Sequence, residues 1–298
     1  MTTLYEGAFA KINLTLDVLG KREDGYHDLQ SVMQTVSIRD DIEIDVGTGE
    51  PWSLLCDKEG VMPCDERNLA WKAARVFESA ARVDLGGIQI RIVKRIPSQA
   101  GMGGGSADAA GVLVGLNRLW GLNLPQEELE VIGLRLGADV PFCIRGGLTR
   151  TTGIGETMED LPCGRCWPLV VIQPCEGLST KEIFTAYHEG VVAVRPDNDT
   201  AALALAKSDA QALSAAMANV MQPVSEARRP SIREAIAALT EQGACAAQMT
   251  GSGSAVFGAF IDESSACRAY DVLCNRWERV YLCSTCMDSV VFVDDDQN

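Results

Sequence analysis

The sequence predicts a globular protein of mixed strand and helix, built in two domains. Three observations carry this. A segment with Ile88, Ile90 and Ile92 on one face and Gln89 and Arg91 on the other has strand periodicity. A glycine-rich stretch follows it. Then Ala109, Val112, Leu113, Leu116 and Trp120 recur at helical spacing up to Gly121. The second observation is a composition shift near Glu159–Trp167, with Pro162, Cys163, Gly164 and Pro168, which reads as a domain junction. The third is size: 298 residues at 47% hydrophobic content can bury a substantial core and fill one large or two modest domains.

The other elements read as follows. Ala10, Ile12, Leu14, Leu16 and Val18 alternate with Lys11, Asn13, Thr15 and Asp17, giving a strand over Ala8–Leu19. By pattern alone its polar face is turned to water. A turn-rich segment, Gly20–Gly25, separates it from a second strand marked by Ile42, Ile44 and Val46. Asp65–Arg82 reads as a helix with Leu69, Ala73, Val76, Phe77 and Ala80 inward. Pro125–Gly137 has a proline start, Glu127 and Glu128 near the positive end and a glycine stop. Beyond the junction come a strand at Leu169–Ile172 and a capping box at Ser179–Glu182 leading a helix to Tyr187. Ile232–Leu239 is a helix, Gln248–Phe257 a small-residue turn, Glu263–Arg276 a helix and Val290–Val293 a last strand. Asp294–Asp296 reads as a solvated tail.

The stretch between the third strand and its helix, Pro97–Gly111, carries the chemistry. Gly101, Gly103, Gly104 and Gly105 fall within five residues. Glycine tolerates positive φ, expected here at Gly104 among others, and lets backbone N–H groups approach a ligand. The following helix N-terminus adds free donors and partial positive charge, so the unit suits a polyphosphate. It is not a GxxxxGK[ST] loop, because no lysine follows the last glycine, and it lacks the acidic residue of a dinucleotide fingerprint.

The formal charge of −15 argues against a nucleic-acid or anionic-membrane partner. No leader-like start and no run of 18 apolar residues is seen, so a soluble, cytoplasmic protein is expected. Eleven scattered cysteines read as reduced, mostly buried thiols, and Cys163/Cys166 and Cys283/Cys286 are spaced too far apart for a zinc ribbon. The two histidines are His27 and His188. On the bare sequence His27 is an ordinary loop histidine, Asp139 a turn former and Asn68 a helix cap.

A family resemblance changes those readings. Pro97–Ala110 resembles the second motif of the GHMP small-molecule kinases. Ala10-Lys11-Ile12-Asn13-Leu14 with Asp24-Gly25-Tyr26-His27, Gly137-Ala-Asp139-Val-Pro-Phe142 and Thr250–Phe257 resemble, in the same order, the branch of that family acting on a diphosphocytidyl alcohol. The resemblance implies an α+β, two-domain GHMP kinase fold with the active site in the interdomain cleft. The ATP-binding domain would span 1–158 and the substrate domain 159–298. It implies transfer of phosphate from ATP to the 2-hydroxyl of 4-diphosphocytidyl-2-C-methyl-D-erythritol, in non-mevalonate isoprenoid precursor synthesis. The alternatives are a GHMP kinase for another small alcohol of the homoserine or mevalonate type, a non-catalytic nucleotide-binding regulator, and a nucleic-acid-binding module on the same fold.

Residue by residue, the resemblance implies Asp139 as base and Lys11 as its catalytic partner beside the reacting hydroxyl. It implies Pro97, Ser98, Gln99, Ala100, Gly101, Met102, Gly103, Gly104, Gly105 and Ser106 at the ATP phosphates, with Asn68 and Lys94 on the adenine side. It implies Asn13, Tyr26, His27, Thr180 and Phe184 at the substrate, Tyr26 and His27 holding the cytosine ring. Mg2+ is expected with ATP, no protein metal ligand is assigned, and a monomer or weak homodimer is expected. Met102 stands where leucine is frequent and Ala107 where a second hydroxyl is frequent.

Overall fold

A computed structural model of the chain describes residues 2–23, 25–47, 49–187 and 194–292. Asp24, His188 and the acidic tail, singled out above, lie outside the described residues. Two long strands form the spine, β1 (Thr2–Lys21) and β2 (His27–Val46). They pair antiparallel from Thr2↔Val46 to Lys21↔His27. Register shifts at Phe9/Ala10, Asn13/Thr15 and Val18/Gly20 bend the ribbon. The short strands expected near residues 8–19 and 42–46 are therefore the middle and end of two strands of 20 residues each.

Five further strands complete the first sheet: β3 (Ser53–Cys56), β4 (Ile88–Val93), β5 (Leu148–Gly153), β6 (Thr157–Asp160) and β11 (Val290–Phe292). The order is β11-β1-β2-β4-β3, with β5 also paired to β2 and β6 to β5. β11 comes from the far end of the chain, with Phe292 opposite Glu6. Helices α1 (Leu69–Ala81), α2 (Gly104–Leu119), α3 (Gln126–Leu134) and α4 (Val140–Arg145) belong to this half. α1 starts later than its apolar pattern suggested because the Asn68 Oδ1 accepts from the Ala70 N–H at 2.8 Å and caps it there. Its buried face is Ala70, Ala73, Ala74 and Phe77, and Ala80 is exposed. α2 is buried on nearly every side, from Ala107 to Leu116.

The second sheet runs β10 (Val280–Ser284), β7 (Pro168–Ile172), β9 (Val256–Ala259), β8 (Ala246–Met249), all antiparallel. α9 (Ser231–Glu241) and α10 (Glu263–Leu273) pack on it. Between β7 and α9 lie α5 (Thr180–Ala186), α6 (Asn198–Lys207), α7 (Ala210–Ala216) and α8 (Gln222–Arg228). Sequence reading missed α6 to α8, whose alanines give a weak apolar stripe. The signals were the caps: Asp197 accepts from Thr200 and Asp209 from Gln211 and Ala212.

One apolar cluster joins Ile12, Leu14 and Val36 to Leu169, Val171 and Phe257, and a second joins Leu16 and Val18 to Ile172, Ile232 and Phe260. β1 thus runs from one core into the other. Its polar face is not solvated: Lys11, Asn13, Thr15 and Asp17 are all buried. The second half of the chain lies across them. Asn198 of α6 accepts from the Thr15 hydroxyl, and the Gln248 amide donates to the backbone carbonyls of Asn13 and Leu14. All eleven cysteines are free, but only Cys143 is fully buried, while Cys64, Cys166 and Cys274 are exposed. That corrects the expectation of mostly buried thiols. No helix is long and apolar enough to cross a membrane among the described residues.

Glu6 on β1 is the oddest core residue. It lies against Gly111 and Gly115 of α2, where a Cβ on Gly115 would stand 2.7 Å from its Oε1. Neither carboxyl oxygen has a hydrogen-bond partner. Burial raises its pKa well above the usual carboxylate range, opposed by Arg118. A raised folded-state pKa means that stability is intact below the unfolded value of about 4.3 and is lost as pH rises toward the folded value, at about 1.4 kcal/mol per pH unit. Urea midpoints should therefore fall from pH 5 to pH 8 in the wild type, and Glu6→Gln should flatten that part of the profile.

Candidate active site

The glycine loop leaves β4 at Lys94. Asp40 on β2 fixes its start, its Oδ1 accepting from the N–H groups of Arg95 at 2.6 Å and Ile96 at 2.9 Å. Pro97, Ala100 and Met102 turn inward and are buried, which leaves Ser98, Gln99, Gly101, Gly103, Gly104, Gly105 and Ser106 at least partly accessible. Positive φ falls at Gln99, Gly101 and Gly103. Gly104 opens α2 with helical backbone, so its expected positive φ is corrected: Gly103, at φ 73°, makes the turn into the helix. α2 has no side-chain cap. The N–H groups of its first turn point out of the helix end unpaired, beside the partial positive charge.

Lys11 lies under this loop. Its backbone N–H donates to the Met102 carbonyl at 3.1 Å. Its ammonium donates to the Asn13 Oδ1 at 2.8 Å and stands 3.4 Å from the Asp139 Oδ2. Lys11 is 4% exposed, whereas the Asp139 side chain is 42% exposed. Asp139 sits at the start of α4 but makes no capping hydrogen bond, so its carboxylate is held by Lys11 and faces outward. A Cβ on Gly103 would come within 3.1 Å of the Lys11 Cγ, so glycine there makes room for the lysine stem.

The turn between β8 and β9 completes this cluster. The Thr250 hydroxyl accepts from the Asn13 N–H at 3.0 Å, 237 residues away in sequence, and lies 3.3 Å from the Gly101 carbonyl, to which it can donate. The Ala255 N–H donates to the Ala100 carbonyl at 3.1 Å. Asn219, which no sequence signal marked, holds the turn in place: its amide donates to the Met249 and Gly251 carbonyls at 2.9 and 2.8 Å.

On the other side of the loop a cleft of about 510 Å3 is lined by Gln99 and Gly101, by Gly177 to Thr180, and by Gly253. Ser179 caps α5, accepting from the Glu182 N–H. Thr180 and Ser252 share a hydroxyl hydrogen bond of 2.9 Å. Farther along α5, the Phe184 ring lies 5.1 Å from the His27 ring, tilted 36°. Tyr26, one residue before β2, is 59% exposed beside this pair. The cleft thus runs between the glycine loop, at Gln99 and Gly101, and the start of α5, whose later residue Phe184 meets His27.

Two expected nucleotide contacts are engaged elsewhere. The Asn68 amide donates to the Pro63 carbonyl while its oxygen caps α1. Lys94, 4% exposed, points behind the loop, where its ammonium pairs with Asp40 and, at 2.8 Å, with Asp108 of α2. An ammonium clamped between two buried carboxylates has no surface from which to reach a ligand. Among the described residues no group of three or more His, Cys, Asp or Glu is arranged to hold a metal ion.

These features define a class. The chain matches the GHMP kinases N terminal domain over residues 68–147 and the GHMP kinases C terminal domain over residues 201–279. It is 39% identical over 278 residues to a Clostridium beijerinckii protein named 4-diphosphocytidyl-2-C-methyl-D-erythritol kinase, covering 93% of this chain and 98% of the relative. A crystal structure of 4-(cytidine 5'-diphospho)-2C-methyl-D-erythritol kinase superposes with a TM-score of 0.80 at 30% identity, over 95% of this chain and 99% of that one. Homoserine kinase from Cytophaga hutchinsonii shares the fold, at TM-score 0.78 and 15% identity over 98% of each chain. The chain belongs to the 4-diphosphocytidyl-2-C-methyl-D-erythritol kinase family of the GHMP kinases.

Removing the Thr250 hydroxyl leaves a buried N–H of Asn13 without an acceptor, which costs about 1–3 kcal/mol. Thr250→Val should lower the denaturant midpoint accordingly, and Thr250→Ser should restore most of it. Equal midpoints for the valine and serine variants would sink the hydroxyl's linking role.

Proposed function

We propose that the chain catalyses phosphoryl transfer from ATP to the 2-hydroxyl of 4-diphosphocytidyl-2-C-methyl-D-erythritol, giving the 2-phosphate and ADP in isoprenoid precursor synthesis. The observation that carries this reading is the Lys11–Asp139 pair, set beneath a glycine loop, with the bond from the Lys11 N–H to the Met102 carbonyl holding the two together. The loop backbone at Ser98–Ser106 and the α2 N-terminus hold the phosphates and offset their charge. The buried side chains of Pro97, Ala100 and Met102 shape the loop from below. Lys94, just after β4, supports it from behind at Gly104, and Asn68 caps α1. ATP would enter as its Mg2+ complex, and the cation would supply charge neutralisation at the phosphates.

In the transfer step the Asp139 carboxylate accepts the proton of the substrate hydroxyl. The hydroxyl oxygen attacks the γ-phosphorus, and the bond from that phosphorus to the β-phosphate bridging oxygen breaks, releasing ADP. The Lys11 ammonium orients Asp139 and stabilises negative charge on the attacking oxygen, and Asn13 holds the ammonium in place. The cytosine ring stacks with Tyr26 and Phe184 while His27 bonds its polar edge. Thr180 lies on the path between ring and hydroxyl. The same reading takes residues 1–158 and 159–298 as the nucleotide and substrate lobes, with β11 returned to the first sheet, and the protein as a cytoplasmic monomer or weak homodimer.

A kinase for a smaller alcohol has no use for a paired His27 and Phe184 ring, which favours the cytidyl substrate. ADP release measured with ATP, Mg2+ and the diphosphocytidyl alcohol, beside the same mixture with free methylerythritol phosphate or homoserine, decides between acceptors. Release with homoserine alone would overturn the substrate. Asp139→Asn should lower kcat by about 10^2- to 10^4-fold with nucleotide binding kept; wild-type turnover would refute Asp139 as base. His27→Ala should raise KM for the cytidyl substrate by about three- to tenfold with KM for ATP unchanged. An unchanged substrate KM would remove His27 from ring recognition.

A further inference from the structure

Behind the glycine loop lies a charge cluster that the transfer step does not use. The Lys94 ammonium touches the Asp40 Oδ2 and the Asp108 Oδ2. All three side chains are at most 5% exposed. The two oxygens of Asp40 are occupied, one by Lys94 and the other by the Arg95 and Ile96 N–H groups. Asp108 differs: its Oδ1 is sealed from solvent and has no hydrogen-bond partner. The cluster also sits close to the proposed phosphate site. A Cβ on Gly104, the first residue of α2, would stand 3.4 Å from the Lys94 Nζ. Asp108 lies about one turn farther along the same helix.

With both carboxylates ionised, one ammonium leaves the cluster a net charge of −1. That charge faces the helix end where polyphosphate would bind, and it works against the positive end of the helix. A proton on Asp108 makes the cluster neutral. It also gives the orphaned carboxyl a donor, and Asp40 Oδ2, which takes a hydrogen bond from Lys94, keeps a second lone pair that can accept it. Resting on the reading of this loop as a nucleotide site, we propose that Asp108 is a proton-carrying positioning residue of the glycine loop: it takes up a proton when the phosphates of a nucleotide bind, and the neutral Lys94–Asp40–Asp108 cluster then holds the loop against β2 and β4.

The surroundings agree. Burial pushes the Asp108 carboxyl up, Lys94 opposes this, Asp40 adds to it, and the result is a value of about 7. Cys143, from α4, is a titratable neighbour whose thiol is pushed far up by burial, so it stays neutral. At the Lys94 backbone, the Lys58 ammonium donates to the carbonyl and the Asp57 carboxylate accepts from the N–H. α1 turns the apolar Leu69 toward this end of α2, and Glu6 of β1 lies farther down the helix at Gly111 and Gly115. A bound anion raises the Asp108 value further. Proton uptake is then expected above pH 7, and affinity falls as pH rises.

Calorimetric titration of the full-length protein with ADP and Mg2+ at pH 7.5, in two buffers of different ionisation enthalpy, counts the protons. The wild type should take up a substantial fraction of a proton per nucleotide, and Asp108→Asn should lose most of that uptake while still binding. The nucleotide's own protonation cancels in the comparison. The wild-type Kd should also weaken several-fold between pH 6.5 and 8.5, which keeps the inference testable if the variant does not fold. Equal uptake by both proteins, or a wild-type Kd flat across that range, overturns the inference and leaves the nucleotide site standing. Absence of any ADP binding by the wild type overturns the nucleotide reading, and this inference with it.

Discussion

The burial of the Lys11 ammonium is the constraint on which the site depends. A desolvated cation has to be surrounded by acceptors in fixed places. Asn13 supplies one from the same face of β1, and Asp139 supplies a carboxylate from the start of α4. Two residues on one strand face cannot seal that face from water. The seal comes from the β8–β9 turn, through the Thr250 hydroxyl, and from α6. A single lysine therefore ties together a strand from the beginning of the chain, a helix from its middle and a turn from near its end.

The loop geometry follows from the same crowding. Gly103 is glycine because its φ is positive and because the lysine stem passes beneath it. Gly101 is glycine because a Cβ would meet the Thr250 carbonyl at 2.3 Å. The loop is gripped from above by Thr250 and Ala255 and from behind by Asp40. This leaves the loop little freedom to rearrange. The cost of the arrangement is charge buried behind the loop, where the Lys94 ammonium meets Asp40 and Asp108.

The acceptor side is built differently. α5 has only seven residues and is set by the Ser179 cap, the Thr180–Ser252 hydrogen bond and Phe184 against His27. Its contacts are few and partly exposed, in contrast to the sealed loop.

Periodicity and glycine placement in the sequence were enough to fix the strand–loop–helix unit, the α5 cap and the small-residue turn at Thr250–Phe257, because those depend on neighbours a few residues apart. The four motifs, taken with the family resemblance, single out Lys11, Asp139 and His27 as candidates, and the structure sets Lys11 against Asp139. Only the tertiary structure decided the rest. The alternation at Lys11, Asn13, Thr15 and Asp17 reads as a wet face, because the sequence does not reveal that α6 and the β8–β9 turn will cover it. Lys94 reads as a ligand contact until Asp40, 54 residues earlier, is seen on its ammonium. Asn219 and Glu6 carried no signal at all. Each of these is defined by a partner brought close through space, and local pattern contains no information about which distant chain will arrive.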